Sequence, residues 1–398
     1  MRVLQPVGIK SQVVNFQALP PLSLYIHIPW CVKKCPYCDF NSHEARAAFP
    51  EKEYIAALTR DLEMALPQIW GRKVYTVFFG GGTPSLLSGA GVEEILRQVR
   101  MLLPLAGDAE ITLEANPGTV EADKFAAFSE AGVNRLSLGI QSFNDDHLKA
   151  LGRIHSADEA RAAIDIAQRH FDNINLDLMY ALPDQTLEQA LHDVQSALSF
   201  APQHLSAYHL TLEPNTLFHR NPPSLPDDDA SSDMQQSIEC LLAENGYQHY
   251  ETSAFAQPNR RSKHNLNYWK FGDYLGIGAG AHSKISFPDK IIRQARYKQP
   301  QAYMQQVASG APIQLENEVG RDELPFEFMM NALRLNAGFD SVLFNERTSL
   351  SLIAIQCELD EAERRGLLQR DIARIAPTLQ GQRFLNDLLE IFLVDKSR

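Results

Sequence analysis

The sequence predicts an α/β protein: a partial (β/α)6 barrel, then a smaller mixed region and a C-terminal helical domain. Three observations predict it. A short β-rich run, a turn and an amphipathic helix recur six times between residues 22 and 212. The runs are close to continuously apolar, as parallel strands covered on both faces tend to be. Six such units in succession require a parallel sheet with right-handed crossovers. They are too few to close a TIM barrel, so an open barrel is the natural form, although an open doubly wound sheet fits the same pattern.

The expected strands are 22–28, 74–79, 110–115, 135–140, 174–180 and 204–212. Between the first two, residues 51–70 place Tyr54, Leu58, Leu62, Leu66 and Ile69 on one helical stripe. Ser88 can cap a helix carrying Val92, Leu96, Val99 and Leu103. Ser156 with Glu159, and Thr186 with Gln189, have the spacing of capping boxes. Residues 219–233, rich in Pro, Asp and Ser, read as a connector, with a helix expected over 234–245. The expected organisation is an N-terminal extension (1–21), the barrel (22–218), a connector and second motif region (219–319) and the helical domain (320–398). The glycines of YLGIGAGAHS lack the βαβ setting of a dinucleotide fingerprint and read as a close-packed turn.

The chain has 398 residues, enough for two or three domains, with 44% hydrophobic and 22% charged residues. A net charge of −12 argues against nucleic acid as a general partner. The first 20 residues have no secretory pattern, and no run reaches the roughly 20 apolar residues of a membrane span. A soluble, cytoplasmic protein without stable membrane insertion is expected.

Five cysteines are present, three of them in CVKKCPYC directly after the first strand. Cys240 and Cys357 lie in helix-like patterns and read as small buried hydrophobes. Cys31, Cys35 and Cys38 can wrap one metal centre from a single loop, leaving one coordination position open. A Cys3His zinc site completed by His27 or His43 is the competing reading. The second strand ends in FFGGGTPS, where glycines let backbone approach a ligand, and no P-loop lysine follows. Glu114, Gln141, Arg153 and Asp177 fall on or after later strands, where ligands of such sheets bind; a charge in an apolar strand needs a partner or a cavity.

CxxxCxxC after the first strand, with Tyr37 before the last cysteine, resembles the radical SAM superfamily, and YIHIPWCVKKCPYCDFNSH is similar to its branch of oxygen-independent coproporphyrinogen III dehydrogenases and relatives. The resemblance implies a [4Fe-4S] cluster on the three cysteines and S-adenosylmethionine (SAM) on its open iron, fed by a low-potential electron donor. Cleavage of the sulfonium then gives a 5′-deoxyadenosyl radical. Matched positions make Tyr25, Tyr37, Gly81, Gly82, Thr83, Glu114, Gln141, Arg153 and Asp177 the expected SAM contacts. The dehydrogenases resemble CxxxCxxCxC, whereas here the last position is Phe40, which argues against coproporphyrinogen oxidation. KCPYCDFNSH, PNTLF and KHNLNYW look closer to HemW-type haem chaperones. That resemblance implies haem as cargo, held by His264, Asn265, Tyr268 and Trp269 of the HNxxYW pattern; Arg260, Arg261 and Lys263, immediately upstream, are expected from their charge to pair the propionates. It also implies respiratory haem apoproteins as recipients, reached peripherally at the membrane. Whether the chain forms a homodimer stays open, and a dehydrogenase and a zinc protein remain the alternatives.

Overall fold

In the computed structural model, which describes residues 14–45, 49–119 and 122–393, the six expected strands are present and parallel. They are β1 (Leu22–Ile28), β2 (Val74–Gly81), β3 (Leu105–Ala115), β4 (Arg135–Gln141), β5 (Ile174–Tyr180) and β6 (His204–His209). β6 stops three residues short of the expected 212 because its neighbour ends at Tyr180, which is opposite His209. The covering helices are α1 (Glu51–Ala65), α2 (Gly89–Leu102), α3 (Ala122–Ala131), α4 (Ala157–Gln168) and α5 (Leu187–Leu198). α1 passes into a 3-10 turn at Leu66–Gln68, where Pro67 has no N–H to continue the ladder. Ser88 caps α2 by accepting from Gly91, and both capping boxes form.

The expected connector is mostly helix. Asp227 accepts from the Ala230 N–H and begins α6 (Asp228–Glu244), with Asp228 and Asp229 in its first turn. The acidic run is therefore a helix start, where side-chain acceptors and negative charge satisfy the free N–H groups. Next come β7 (Gln248–Glu251), β8 (Ala254–Ala256), α7 (Lys263–Trp269), β9 (Asp273–Ile277), β10 (His282–Ser286), β11 (Ile291–Arg296), α8 (Pro300–Ala308) and β12 (Ile313–Glu318). The glycine-rich segment thus holds strands as well as a turn. β9 pairs in parallel with β1, giving a twelve-stranded sheet in the order β12-β11-β10-β9-β1-β2-β3-β4-β5-β6-β8-β7.

The C-terminal region is not purely helical. Besides α9 (Leu324–Ala332), α10 (Ser341–Thr348) and α11 (Gln356–Arg364) it holds three short antiparallel strands, β13 (Phe339–Asp340) between α9 and α10, and β14 (Leu368–Arg370) and β15 (Arg374–Pro377) after α11. Runs of two to four residues are too short for a periodic signal. This region has its own core, into which Val14 and Phe16 also pack.

The barrel strands differ from the expected apolar pattern in one decisive way. Leu22, Leu24, Ile26, Ile111, Leu113, Leu136, Leu138, Leu176 and Leu178 face the helices in the main core. The alternate positions are polar: Ser23, Thr76, Glu110, Thr112, Arg135, Ser137, Asn175, His204 and Ser206 are all buried. The pattern has a strand's period of two, with the polar set turned into the barrel.

A buried ion pair ties the sheet extension to the barrel. Arg296 on β11 and Asp61 on α1, both at most 1% exposed, approach to 3.3 Å. Asp61 also accepts from the Tyr303 hydroxyl at 2.9 Å and from the Gly278 N–H at 3.3 Å. Replacing one partner strands the other charge. Arg296→Leu is expected to lower unfolding free energy by about 3–5 kcal/mol in urea titration; a loss within scatter of the wild type would contradict this pairing.

Candidate functional site

The cysteine loop is positioned by backbone contact. After β1 the chain forms a two-residue parallel bridge, Trp30–Cys31 with His43–Glu44, which closes the loop on itself. The loop after β2 docks against it: the Gly82 N–H donates to Ile28 O and the Thr83 N–H to Trp30 O, both at 2.7 Å. A Cβ at Gly82 would lie 2.5 Å from Trp30 O, so only glycine permits this approach. On the other side the Asn41 amide donates to Ala279 O at 2.9 Å and Lys298 O at 2.8 Å. There Gly278, at φ +101°, lets the turn between β9 and β10 reach the backbone of His27.

All three cysteines are half-buried, and their thiols are mutual electrostatic neighbours. Burial raises the Cys31 and Cys38 thiols, so a bound cation would favour their ionised form. Both histidines that the zinc alternative would use carry hydrogen bonds elsewhere. His27 uses Nδ1 with the Tyr25 hydroxyl (3.1 Å) and Nε2 with Asn41 O (2.8 Å), while His43 Nε2 lies 3.3 Å from Lys298 O. Among the described residues no three His, Cys, Asp or Glu converge on a single ion position.

The thiols line an inner cavity of about 380 Å³. Tyr37, Gly81, Gly82, Thr83, Glu114, Gln141, Arg153 and Asp177 line it too, so eight of the nine residues expected to contact SAM meet here from separate strands and loops. Tyr25 faces instead a contiguous mouth cavity of about 850 Å³, which shares Cys38, Phe40, Ser42, Gly81 and Glu114 with the inner one. Arg153 donates to Gly139 O at 2.7 Å and approaches Cys35 Sγ at 3.8 Å. Its Nε, and that of Arg135, are buried with no hydrogen-bond partner among the described residues. The orphaned Arg153 Nε beside Cys35 fits a ligand carrying a carboxylate next to a metal centre, while Arg135, in register with Thr112, lies deeper in the same cavity. Gln141 holds a left-handed backbone, φ 69°, at the end of β4, a strained setting of the kind found at ligand sites.

Glu114 and Asp177 face each other across this cavity. Burial, then the charge of Asp177, pushes the Glu114 carboxyl from its ordinary 4.5 up to about 8. Burial also raises Asp177, against hydrogen bonds from Asn175 and Ser137 that stabilise its ionised form. Beneath them Asn175 joins β4, β5 and β6 by bonding Ser137, His204 and Ser206. The residues that reading the sequence missed, Arg135, Ser137, Asn175, His204, Ser206 and Tyr208, belong to this lining. Their signal was the alternation of polar with apolar positions.

The HNxxYW residues do not form one site. α7 lies inside the open barrel as a plug. His264 is 1% exposed; its Nδ1 meets Thr76 Oγ1 at 2.7 Å and its Nε2 meets the Tyr268 hydroxyl at 3.0 Å. Phe78 stacks on the ring at 4.9 Å. Both nitrogens are committed, so the expectation of His264 as an iron ligand is corrected: it is a core histidine of the plug. Asn265 lines the inner cavity and Tyr268 the mouth, while Trp269 lies under Arg334, 4.5 Å from ring centre to guanidinium. The propionate partners are corrected too. Lys263 pairs with Asp108 at 2.9 Å, near the start of β3, and Arg261 bonds Gln248. Six residues separate Asp108 from Glu114, roughly 20 Å along a strand, which puts these cations at the far end from the mouth.

Comparison with known proteins agrees with this geometry. Residues 25–197 match the radical SAM superfamily and residues 319–384 the HemN C-terminal domain. The chain is 51% identical over 379 residues to the heme chaperone HemW of Escherichia coli (strain K12), covering 95% of this chain and 99% of that protein. It is 34% identical to the heme chaperone HemW of Bacillus subtilis (strain 168), covering 93% and 99%. The solved structure of coproporphyrinogen III oxidase (HemN) from Escherichia coli, a radical SAM enzyme, superposes with a TM-score of 0.81 at 26% identity, covering 96% and 91%. The chain belongs to the HemW family of radical SAM proteins.

The raised Glu114 carboxyl has a consequence for stability. The folded chain keeps this proton to about pH 8, whereas the unfolded chain releases it near 4.5. The folded state therefore binds more protons between those values, and stability from this group falls as pH rises through that window. Glu114→Gln is expected to flatten the decline of the urea midpoint between pH 4.5 and 8; an unchanged slope would contradict the assignment.

Proposed function

We propose, from membership of the HemW family, that this protein is a haem chaperone, binding haem as cargo and delivering it to respiratory haem apoproteins. In this reading Cys31, Cys35 and Cys38 hold a [4Fe-4S] cluster, and SAM occupies the inner cavity. When bound, the cluster supplies an electron at low potential, taken from an external donor, and one iron open to the methionyl end of SAM. The chain's own residues orient the cofactor. The unpaired Nε of Arg153, beside Cys35, is available to its carboxylate. Glu114 and Asp177 offer acceptors to its ammonium and ribose hydroxyls.

The observation that carries the reading is Phe40. It stands two residues beyond Cys38, where the decarboxylating dehydrogenases resemble a fourth cysteine, and it is 60% exposed at the junction of the two cavities. A large apolar side chain left in the open there offers a flat ligand an edge to pack on and offers no thiol for hydrogen transfer. None of the described helices is long and apolar enough to cross a membrane. Delivery to membrane-bound recipients would then occur by docking at the surface.

Anaerobically reconstituted protein loaded with haem should transfer it to an apo-cytochrome, read as growth of the cytochrome's own Soret band. With SAM, reductant and coproporphyrinogen III it should form no protoporphyrinogen. Sustained formation of that product would overturn the proposal in favour of the dehydrogenase.

A further inference from the structure

The mouth cavity holds a histidine whose ring, unlike that of His264, is not committed to neighbouring side chains. Three histidines line it, and the rings of His27 and His43 are both engaged. His282, the first residue of β10, is exposed into the cavity, and its ring makes no hydrogen bond among the described residues. Partial desolvation against the cavity wall, with Lys298 and Arg293 nearby, lowers its pKa below the ordinary 6.5, so the imidazole is neutral near pH 7, the form that binds a metal.

The surrounding wall suits a flat dianionic macrocycle. Lys298 and Lys34 are two cations on the rim, and Phe40, Tyr268 and Tyr274 supply aromatic surface. Tyr268 and Tyr274 pack edge to face with ring centres 4.6 Å apart, so that surface is rigid. A cavity of about 850 Å³ lies within the range of sites that take a large cofactor. It is contiguous with the inner cavity, which places a macrocycle here next to the expected cofactor rather than in its place.

We propose that haem seats in the mouth cavity, with a His282 nitrogen as axial ligand to the iron and the propionates at Lys298 and Lys34. The seat rests on the haem-chaperone reading and names its binding site. The HNxxYW helix contributes through Tyr268 on the wall, while His264 fixes the plug behind it.

The test is a ferric haem titration of the full reconstituted chain, read by Soret absorption and EPR, with His282→Ala, His282→Met, Lys34→Ala/Lys298→Ala and His264→Gln variants. His282 is exposed, so its variants are expected to keep the wild-type far-UV circular dichroism and iron content. His282→Ala should weaken haem binding by about tenfold or more and lose the imidazole-ligated spectrum, and free imidazole should restore that spectrum. His282→Met should give a methionine-type spectrum, the double lysine variant should bind more weakly, and His264→Gln should keep the wild-type spectrum. Wild-type affinity and spectrum in His282→Ala would overturn the seat while leaving the chaperone reading intact. Loss of the ligated spectrum in His264→Gln, with its fold retained, would overturn it in favour of the plug histidine. If the unaltered chain binds no haem, the underlying reading fails and the seat with it.

Discussion

Three backbones have to meet closely for the cysteine loop to exist as a rigid object, and glycine is what lets them. At Gly82 the loop after β2 comes within hydrogen-bonding reach of Ile28 and Trp30, and at Gly278 the turn after β9 reaches His27. A Cβ at either position would lie 2.5 Å from a carbonyl oxygen. The thiols are thereby carried on the end of β1, clamped from both sides by sheet, instead of on a free loop. The gathering of the expected cofactor contacts around one cavity depends on that clamp, because Glu114, Gln141 and Asp177 are fixed on β3, β4 and β5 and cannot follow a moving target.

The barrel interior imposes the second constraint. Its inward positions are polar, and buried polar groups must be satisfied or aimed at a ligand. Most are satisfied internally: Asn175 alone links Ser137, Asp177, His204 and Ser206, and His264 answers Thr76 and Tyr268. The exceptions include Thr112 Oγ1 and two atoms that border the inner cavity, Arg135 Nε and Arg153 Nε. Structural satisfaction and vacancy for a ligand thus divide the same layer, and the HNxxYW helix falls mostly on the structural side.

What could be read in the sequence follows from how local each signal is. The six strands, the Ser88 cap, both capping boxes and the thiol loop rest on contiguous residues, and all are present, with β3 starting at Leu105 instead of 110 and β6 ending at His209 instead of 212. β9 carries no local signal because its five residues, Asp273–Ile277, pair with β1 across some 250 positions of sequence, which periodicity does not register. The acidic stretch at Asp227 has a linker's composition, and only its capping spacing marks it as a helix start. In the site, Glu114 and Asp177 stood out as charges in apolar runs, whereas Ser137, Asn175 and His204 needed the alternation to be taken seriously. The apolar residues between them dominated the impression of a continuous run. His264 shows the converse limit: its residue type suits an iron ligand, and only the fold reveals that Thr76 and Tyr268 already hold both nitrogens.

The central claim is that three thiolates leave one iron of a four-iron cluster open to SAM. The most direct measurement is EPR of the anaerobically reconstituted, dithionite-reduced protein before and after addition of SAM. The account predicts a [4Fe-4S]+ signal whose g-values shift with SAM, and no such signal when Cys31, Cys35 and Cys38 are all serine. A reduced cluster indifferent to SAM, or a SAM-responsive signal surviving the triple substitution, would contradict it.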